Sequence, residues 1–223
     1  MTGVSAPADR PTSRAEPARP RTRNRRGEGG LLRPQILTAA AELLDEHGSE
    51  EAVTLRAVAR RAGIAAPSIY GHFADRQAIL VAVVTEAFTE LQQQLEGAGS
   101  SDDPVADLHA VCAAYLAFAD SRPERYRAMF GGVWNAARAV DESAMTGAEA
   151  AAFGQDALAV IAGCLRACAD AGRSTSTDPG ADAVALWLGL HGLAHQRAVA
   201  RAFPWPDDIV ERIISPLAHL QDA

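Results

Sequence analysis

Residues 54–80 contain two short helical patterns joined by a turn, and this arrangement restricts the fold more than any other part of the sequence. Thr54 can cap a first helix, whose apolar residues recur at intervals of three and four. Gly63 follows and permits a sharp turn. Pro67 suits the first turn of a second helix, which Ile69 can pack against the helices before it. Two short helices around a glycine-containing turn predict a helix-turn-helix.

Helical periodicity continues on both sides of this motif. Apolar residues at helical spacing predict a first helix over about 34–47, with Gly48 directly after it. Asp75 can cap a longer helix that has one continuous apolar side. The sequence contains no alternating strand pattern bounded by turn signals. It therefore predicts an all-α fold, in which an N-terminal three-helix domain precedes a larger helical domain.

Composition and periodicity divide the chain into four parts. Residues 1–30 are rich in proline, arginine, glycine and serine and carry too little apolar surface to order themselves, so we expect a disordered tail. Residues 31–80 form the predicted helix-turn-helix domain, and residues 81–99 form a connecting helix. The second domain is predicted over residues 100–223.

The second domain contains several separate helical patterns. Asp103 and Pro104 start one predicted helix, and Pro123 starts another. Two longer helices are predicted over 149–172 and 182–203, because apolar residues recur there at helical spacing. These patterns indicate a second core that is helical throughout.

The composition argues against several classes of protein. No stretch of about 18 uncharged apolar residues is present, and the N-terminal arginines precede no apolar segment, so we expect a cytoplasmic chain without a membrane span. The three cysteines, Cys112, Cys164 and Cys168, lack C-x-x-C spacing, which argues against a disulfide framework and a zinc ribbon. No phosphate-binding glycine loop, serine nucleophile motif or carboxylate pair is recognisable, so we expect no enzyme activity and no cofactor.

Residues 36–80 closely resemble the N-terminal DNA-binding domain of the tetracycline-repressor (TetR) family of transcriptional regulators. The most specific elements are T-x-R-x-x-A-x-x-A-G at 54–63 and Y-x-H-F at 70–73, followed by Arg76 where the family usually has lysine. The resemblance implies a homodimeric regulator that binds a palindromic double-stranded operator. Such a protein is most often a repressor that a small-molecule effector releases from DNA, and an activator is the open alternative.

The resemblance also assigns DNA contacts to individual residues. Arg56 matches a position that reaches a base edge or a phosphate, and its guanidinium suits guanine. Residues at the phosphate-contacting positions are Thr54, Ser68, Tyr70, His72 and Arg76. The positions where relatives place base-reading side chains hold Ala66, Pro67 and Gly71. Because all three are small, direct readout of bases should be limited. On spacing alone, a surface helix in a domain that binds no DNA is the alternative.

Arginines dominate the basic side chains, and seven of the 21 lie in residues 1–30 against three acidic residues. Five of these seven fall within 19–26, directly before the first predicted helix. This segment can reach phosphates or an adjacent minor groove, as the N-terminal arms of homeodomains do. A solvated leader that does not touch DNA is the alternative.

The second domain carries a weaker resemblance. The segments PERYRAMF and WLGLHGLAHQRAV resemble a TetR subgroup with a Trp-His-Gly signature in its effector-binding and dimerisation domain. The candidate ligand-contacting residues are Tyr126, Met129, Phe130, Trp134, Trp187 and His191. Ordinary core packing is the alternative for each of them. The two long helices, rich in alanine and glycine, are the predicted dimer interface.

Two further hypotheses from the sequence remain open. A helical enzyme or small-molecule carrier would use the second domain without DNA, and a helical interaction module would use neither ligand nor DNA. His191 and His195 are four residues apart on one helix and could ligate a metal, but no third ligand is recognisable and we expect no metal site.

Overall fold

The computed structural model describes residues 29–131 and 135–221. Over these residues the chain forms ten α-helices and two short 3₁₀ helices, with no β-strand, so the predicted all-α fold is confirmed. The α-helices are α1 Gly29–His47, α2 Leu55–Arg61, α3 Arg76–Glu96, α4 Pro104–Ser121, α5 Pro123–Phe130, α6 Ala136–Asp141, α7 Gly147–Ala152, α8 Gln155–Asp170, α9 Pro179–Val199 and α10 Ile209–Leu217. The 3₁₀ helices are Glu50–Ala52 and Ala66–Gly71.

The helix-turn-helix begins and ends as its local chemistry predicts. The Thr54 hydroxyl caps α2 by accepting a hydrogen bond from the backbone N–H of Ala57 at 3.1 Å. The Asp75 carboxylate caps α3 in the same way, accepting from the N–H of Ala78 at 2.8 Å. Between them, Gly63 has a φ of 69°, a left-handed conformation that other residues adopt only with strain.

The second helix of the motif differs from the prediction in its type. The Ala66–Gly71 segment is a 3₁₀ helix and Ala65, rather than Ala66, is its N-cap. The N–H of Ser68 donates to the carbonyl of Ala65 at 2.9 Å, which is a bond across three residues. Short helical segments often adopt this tighter pattern, which closes hydrogen bonds over three residues instead of four.

Two buried clusters form the core. The first contains α1, α2, the Ala66–Gly71 helix and the N-terminal half of α3, together with Ala128, Ala139 and Met145 from farther along the chain. The second is built from the C-terminal half of α3 with α4, α5, α8, α9 and α10. Since α3 contributes to both clusters, it connects them. The predicted domain bounds at residues 80 and 99 both lie within the region that α3 and its C-terminal turn occupy, and they stay predictions.

The prediction of one long helix over 149–172 is wrong in one respect, because two helices with a break between them occupy this region. α7 ends before Phe153, and Gly154 adopts a φ of 76° before α8 begins. A Cβ atom on Gly154 would lie 3.1 Å from the ring of Phe88, so α3 and α8 approach closely here. The periodicity of the sequence does not reveal a break that a distant ring and a left-handed glycine impose together.

Other helices of the second domain were predicted with shifted boundaries or were not predicted. α9 begins at Pro179, after the Asp178 cap, and ends at Val199, so the predicted 182–203 helix is shifted toward the N-terminus. The sequence reasoning missed α6 and α10, which have six and nine residues. Helices of this length carry too few turns for a clear hydrophobic period.

Residues 147–170 have the length and apolar composition of a membrane span. The break at Gly154 interrupts this segment, and the apolar side of α8 is buried in the second cluster through Ala157, Ile161 and Leu165. These contacts bury part of the apolar side of α8, and 17% of the most apolar 18-residue stretch is buried in all.

Candidate DNA-contact surface and ligand cavity

The Ala66–Gly71 helix buries one side and presents the other to solvent. Ile69 is fully buried and fixes the inner side against the first cluster. Tyr70 is 63% exposed, and Pro67, Ser68 and Gly71 are also exposed. The solvent-facing side of the helix is therefore formed by Pro67, Ser68, Tyr70 and Gly71.

The other predicted contact residues differ in their exposure to solvent. Ala66 and His72 are half-buried, while Thr54 and Arg56 are exposed at the start of α2. A Cβ atom on Gly71 would meet no other atom within 4 Å. The space outside Gly71 can therefore admit a closely approaching partner.

The arginines near this surface fall into two groups. Within the part of the chain that the structure describes, Arg56 and Arg60 make no ion pair or side-chain hydrogen bond, and both are exposed. Arg61 instead forms ion pairs with Glu42, at 3.1 Å, and with Glu46. The hydrogen bonds from Arg61 lower the pKa of the Glu46 carboxyl. Arg56 and Arg60 are thus the two arginines of α2 that are available to an external anion.

Arg76 is engaged by a buried acid. Its guanidinium donates to the backbone carbonyl of Glu50 at 3.3 Å and lies 3.6 Å from the Glu50 carboxylate. The same carboxylate accepts a 2.6 Å hydrogen bond from Arg138 in α6. The Glu50 side chain is only 7% exposed, so this junction joins the helix-turn-helix to α6 through a nearly buried charge. The predicted phosphate contact of Arg76 would have to compete with Glu50.

A cavity of about 310 Å³ lies between α3, α4, α5, α8 and α9, and we call it the aromatic cavity. Its aromatic lining residues are Phe88, Tyr115, Phe130, Phe153 and Trp187. The rings of Phe88 and Phe153 stack, with centroids 5.4 Å apart, and Phe130 meets Phe88 edge-on at 5.5 Å. Such offset and edge-on pairs are favourable arrangements for aromatic rings.

A hydrogen-bonded group of ring side chains extends from Tyr115 and Trp187 in the wall of the aromatic cavity to Tyr126 and His191 behind it. The Trp187 indole donates to the Tyr115 hydroxyl at 3.1 Å, which lies 3.1 Å from the Tyr126 hydroxyl. The Tyr126 hydroxyl lies 2.6 Å from Nδ1 of His191. Burial raises the pKa of Tyr115 well above its usual value and that of Tyr126 to about 12. Burial, with a smaller effect of His195, lowers the pKa of His191, so at neutral pH this group carries no charge.

The structure brings four of the six predicted ligand residues together. Phe130 and Trp187 line the aromatic cavity, while Tyr126 and His191 lie behind it. Met129 is half-buried against the same cluster but does not line the cavity. Trp134 lies outside the described residues, as does the arginine-rich segment 19–26. The sequence reasoning missed Phe88, Tyr115 and Phe153, whose shared signal was only that each is aromatic.

A second concave region lies at the C-terminal ends of α4 and α9, with a volume of about 830 Å³. Its lining combines small apolar residues with Asp120, Arg197, Arg201 and Trp205. We call it the arginine groove. Among the described residues, no group of three or more histidine, cysteine or acidic side chains is arranged to hold a metal ion. His195 is exposed on α9, whereas His191 is half-buried.

Comparison with known proteins agrees with this architecture. Residues 36–83 match the family described as bacterial regulatory proteins, tetR family, and residues 108–218 match the tetracyclin repressor-like C-terminal domain. The two matches together span well over half of the chain. The chain belongs to the TetR family. This finding confirms the family resemblance of the helix-turn-helix and extends it to the second cluster.

Individual proteins similar to this chain come from several bacteria. An uncharacterised helix-turn-helix transcriptional regulator, YobS of Bacillus subtilis, is 29% identical over 99 residues, which are 44% of this chain and 51% of YobS. The match thus spans about half the length of that curated relative. A Rhodococcus protein of unknown function has 24% identity and a TM-score of 0.71, with 87% of this chain and 97% of that chain covered.

A third similar protein has been solved with a small molecule. SmeT, the repressor of a multidrug efflux pump in Stenotrophomonas maltophilia, was solved as a complex with triclosan. In that complex its identity to this chain is 25% and the TM-score is 0.65, with 86% of this chain and 93% of SmeT covered. Its likeness extends across both helical clusters.

Proposed function

We propose that this TetR-family chain is a homodimeric, cytoplasmic transcriptional regulator that binds a two-fold-symmetric operator and leaves it when a small molecule enters the aromatic cavity. The observation that carries the proposal is the outward side of the helix-turn-helix, where Arg56 and Tyr70 are exposed and Arg56 has no acidic partner among the described residues. Exposed arginine and tyrosine side chains are suited to base edges and phosphates. The relatives also carry regulator names.

The candidate DNA contacts of the helix-turn-helix have two different roles. Arg56 is the candidate for a base edge, because a guanidinium can bond both acceptors of guanine. Tyr70, Ser68 and Thr54 are candidates for phosphate oxygens, which position the protein without reading sequence. The half-buried His72 can reach only a phosphate that comes close to the helix. Small side chains at Ala66, Pro67 and Gly71 allow the backbone to approach the DNA.

Homodimerisation is supported by the outer side of α9. Val184, Leu188 and Val199 are 39%, 55% and 70% exposed, and they account for half of the large apolar side chains that are exposed in the described part of the chain. On α8, Ala159 and Gly163 leave room for a second helix to approach. A two-fold dimer through this surface would present two helix-turn-helix domains to a palindromic operator.

The segment from Phe130 to Phe153 supports coupling between cavity and DNA. Phe130 and Phe153 both line the aromatic cavity, while Ala139 and Met145 between them are buried in the first cluster. Arg138, in the same segment, bonds to Glu50 beside the helix-turn-helix. A ligand that moves the cavity wall can therefore shift the helix-turn-helix through packed contacts. Such a shift would favour a conformation with lower operator affinity.

The assignment of the chain to the Trp-His-Gly subgroup rests on fewer residues than the family assignment does. The Trp187, His191 and Gly192 positions fit the Trp-His-Gly signature, and the structure gives two of them a shared polar group with Tyr115. SmeT is a repressor that has been solved with triclosan. By analogy, we propose that the chain represses and that a small organic molecule relieves repression.

A mobility-shift experiment tests the proposal. Full-length protein is titrated onto DNA from beside its own gene and onto a shuffled duplex, at two salt concentrations. We expect a shift of the first DNA at protein concentrations that leave the shuffled duplex free. A helical carrier that uses the aromatic cavity without DNA is the second candidate, and equal, weak and strongly salt-dependent binding to both duplexes would favour it.

A further inference from the structure

The aromatic cavity has a lining that restricts the chemistry of its ligand. Five aromatic rings form its walls, and every other described lining residue is apolar except Gln155, which is exposed. None of the described side chains that line it is charged. The Gln155 amide donates to the carbonyl of Ala151 at 3.4 Å. The cavity therefore offers apolar contact over nearly all of its surface.

A charged ligand would find no counter-charge in this lining. A carboxylate or ammonium group that leaves water without an opposite charge or hydrogen bonds loses far more free energy than apolar contact restores. Tyr115 lines the cavity, Tyr126 and His191 are hydrogen-bonded to it from behind, and burial keeps all three uncharged at neutral pH. The cavity thus selects against ions.

The polar groups of the wall are already paired with one another. The Trp187 N–H donates to the Tyr115 hydroxyl, which also lies within reach of Tyr126 and His191. A ligand rich in hydroxyl or amide groups would lose bonds to water without gaining enough partners in exchange. Ligands with few polar groups are favoured for this reason.

The size and ring geometry of the cavity narrow the choice further. Its 310 Å³ is near the lower limit of roughly 300–1,000 Å³ for small-molecule sites and equals the liquid volume of about ten waters. Phe88 and Phe153 stack at an interplanar angle of 18°, whereas Phe130 meets Phe88 at 85°. A flat ring can continue such stacked and edge-on arrangements with ring centroids about 4.5–7 Å apart.

We propose that the aromatic cavity binds small, uncharged aromatic molecules with few polar groups, and that it discriminates against their anionic derivatives. This inference rests on the proposed ligand-binding role of the cavity and specifies the chemical class of the ligand. It is carried by the five rings, the uncharged lining and the internal pairing of the polar wall groups. The arginine groove, by contrast, is lined by the charged side chains of Asp120, Arg197 and Arg201.

Two fluorescent probes with one ring skeleton provide a matched test. N-phenyl-1-naphthylamine is neutral, and 8-anilino-1-naphthalenesulfonate adds a single sulfonate to that skeleton. Each probe is titrated into the full-length protein, and binding is followed by the rise in probe fluorescence. We expect the neutral probe to bind the aromatic cavity about tenfold more tightly or better than the sulfonate does.

Cavity-filling variants locate the binding. Ala157 is buried and lines the aromatic cavity, so Ala157→Phe should reduce neutral-probe affinity by about tenfold or more. Leu158→Phe is a milder filling at the same cavity and serves if the first variant does not fold. Ala198→Phe, in the arginine groove, is the matched control and should leave neutral-probe affinity unchanged. Thermal unfolding of every variant checks that the fold is retained.

The outcomes separate the ligand class from the regulatory role. Neutral-probe binding that the Ala157 or Leu158 variant reduces, and that Ala198→Phe does not, supports the proposal. Sulfonate binding as tight as neutral-probe binding, and equally sensitive to the Ala157 variant, overturns it. Failure of the neutral probe to bind the wild-type protein also overturns the proposal. Operator binding, measured separately without probe, shows whether the regulatory function stands when the ligand class fails.

Discussion

Arg138 of α6 donates a hydrogen bond to the carboxylate of Glu50 across 2.6 Å, and this pair ties α6 to the helix-turn-helix. The Arg138 side chain is 45% exposed, whereas that of Glu50 is 7% exposed. Arg76 approaches the same carboxylate oxygen at 3.6 Å, so Glu50 is held by two arginines from different parts of the chain. The other oxygen of Glu50 is buried without a hydrogen-bond partner among the described residues.

Arg138→Ala should lower the free energy of unfolding, because it leaves the nearly buried Glu50 carboxylate with its longer contact to Arg76. We therefore expect the variant to melt at a lower temperature than wild type, as measured by thermal unfolding. Arg212→Ala is the matched control, since Arg212 pairs with Asp208 at 2.8 Å on the surface of α10. Melting temperatures that fall equally in both variants would contradict a special role for the Arg138–Glu50 pair.

Arg56→Ala should weaken operator binding by about 1–3 kcal/mol and narrow the difference between operator and shuffled DNA, if Arg56 reads guanine. Arg61→Ala is the control within the same helix, because Glu42 and Glu46 already engage Arg61. Fluorescence anisotropy on both duplexes measures the two effects. Equal losses on operator and shuffled DNA would make Arg56 a phosphate contact, and a larger effect from Arg61 would refute the assignment.

Leu188→Asp should convert the dimer to a folded monomer, because Leu188 is exposed in the single chain and becomes buried only in the proposed interface. Phe203→Asp is the matched control, since Phe203 is also 55% exposed but lies beyond the end of α9. Sedimentation velocity gives the oligomeric state, and circular dichroism confirms the helical content. A wild-type monomer at micromolar concentration would rule out the dimer.

Asp45→Asn should stabilise the protein at neutral pH. Burial, with a smaller effect of Glu124, raises the pKa of Asp45 from 3.8 to about 6, so its charged form is disfavoured in the folded state. The stabilising effect of the raised pKa is complete below about pH 4 and is lost as pH rises through about 6. Asparagine removes this loss. The variant should melt at a higher temperature than wild type at pH 7.5 and show a smaller difference at pH 4.5; an equal difference would contradict the assignment.

Short-range features of this fold were predictable from the sequence, and long-range ones were not. The caps at Thr54 and Asp75 depend on bonds to residues three positions away, so the local sequence is sufficient to identify them. The break at Gly154 lies against the ring of Phe88, which belongs to a different helix. Because periodicity reports only which side of a helix is apolar, it could not place this contact.

The candidate sites show the same division. Tyr70 and Arg56 lie in a compact motif whose order along the chain is itself the signal. Tyr115 meets Trp187 and His191 only after α4 packs against α9, so nothing near it in the sequence marked it as part of the polar group. Glu50 likewise gains its role from Arg138, a residue of a helix too short to recognise beforehand.

Nuclease protection of DNA beside the chain's own gene tests the central claim most directly. Full-length protein should protect one two-fold-symmetric site and bind it about 10³-fold or more tightly than a shuffled duplex at physiological salt. The Arg56→Ala variant should lose that protection at the same protein concentration. Protection without two-fold symmetry, or equal affinity for the site and the shuffled duplex, would contradict a dimeric, operator-specific regulator.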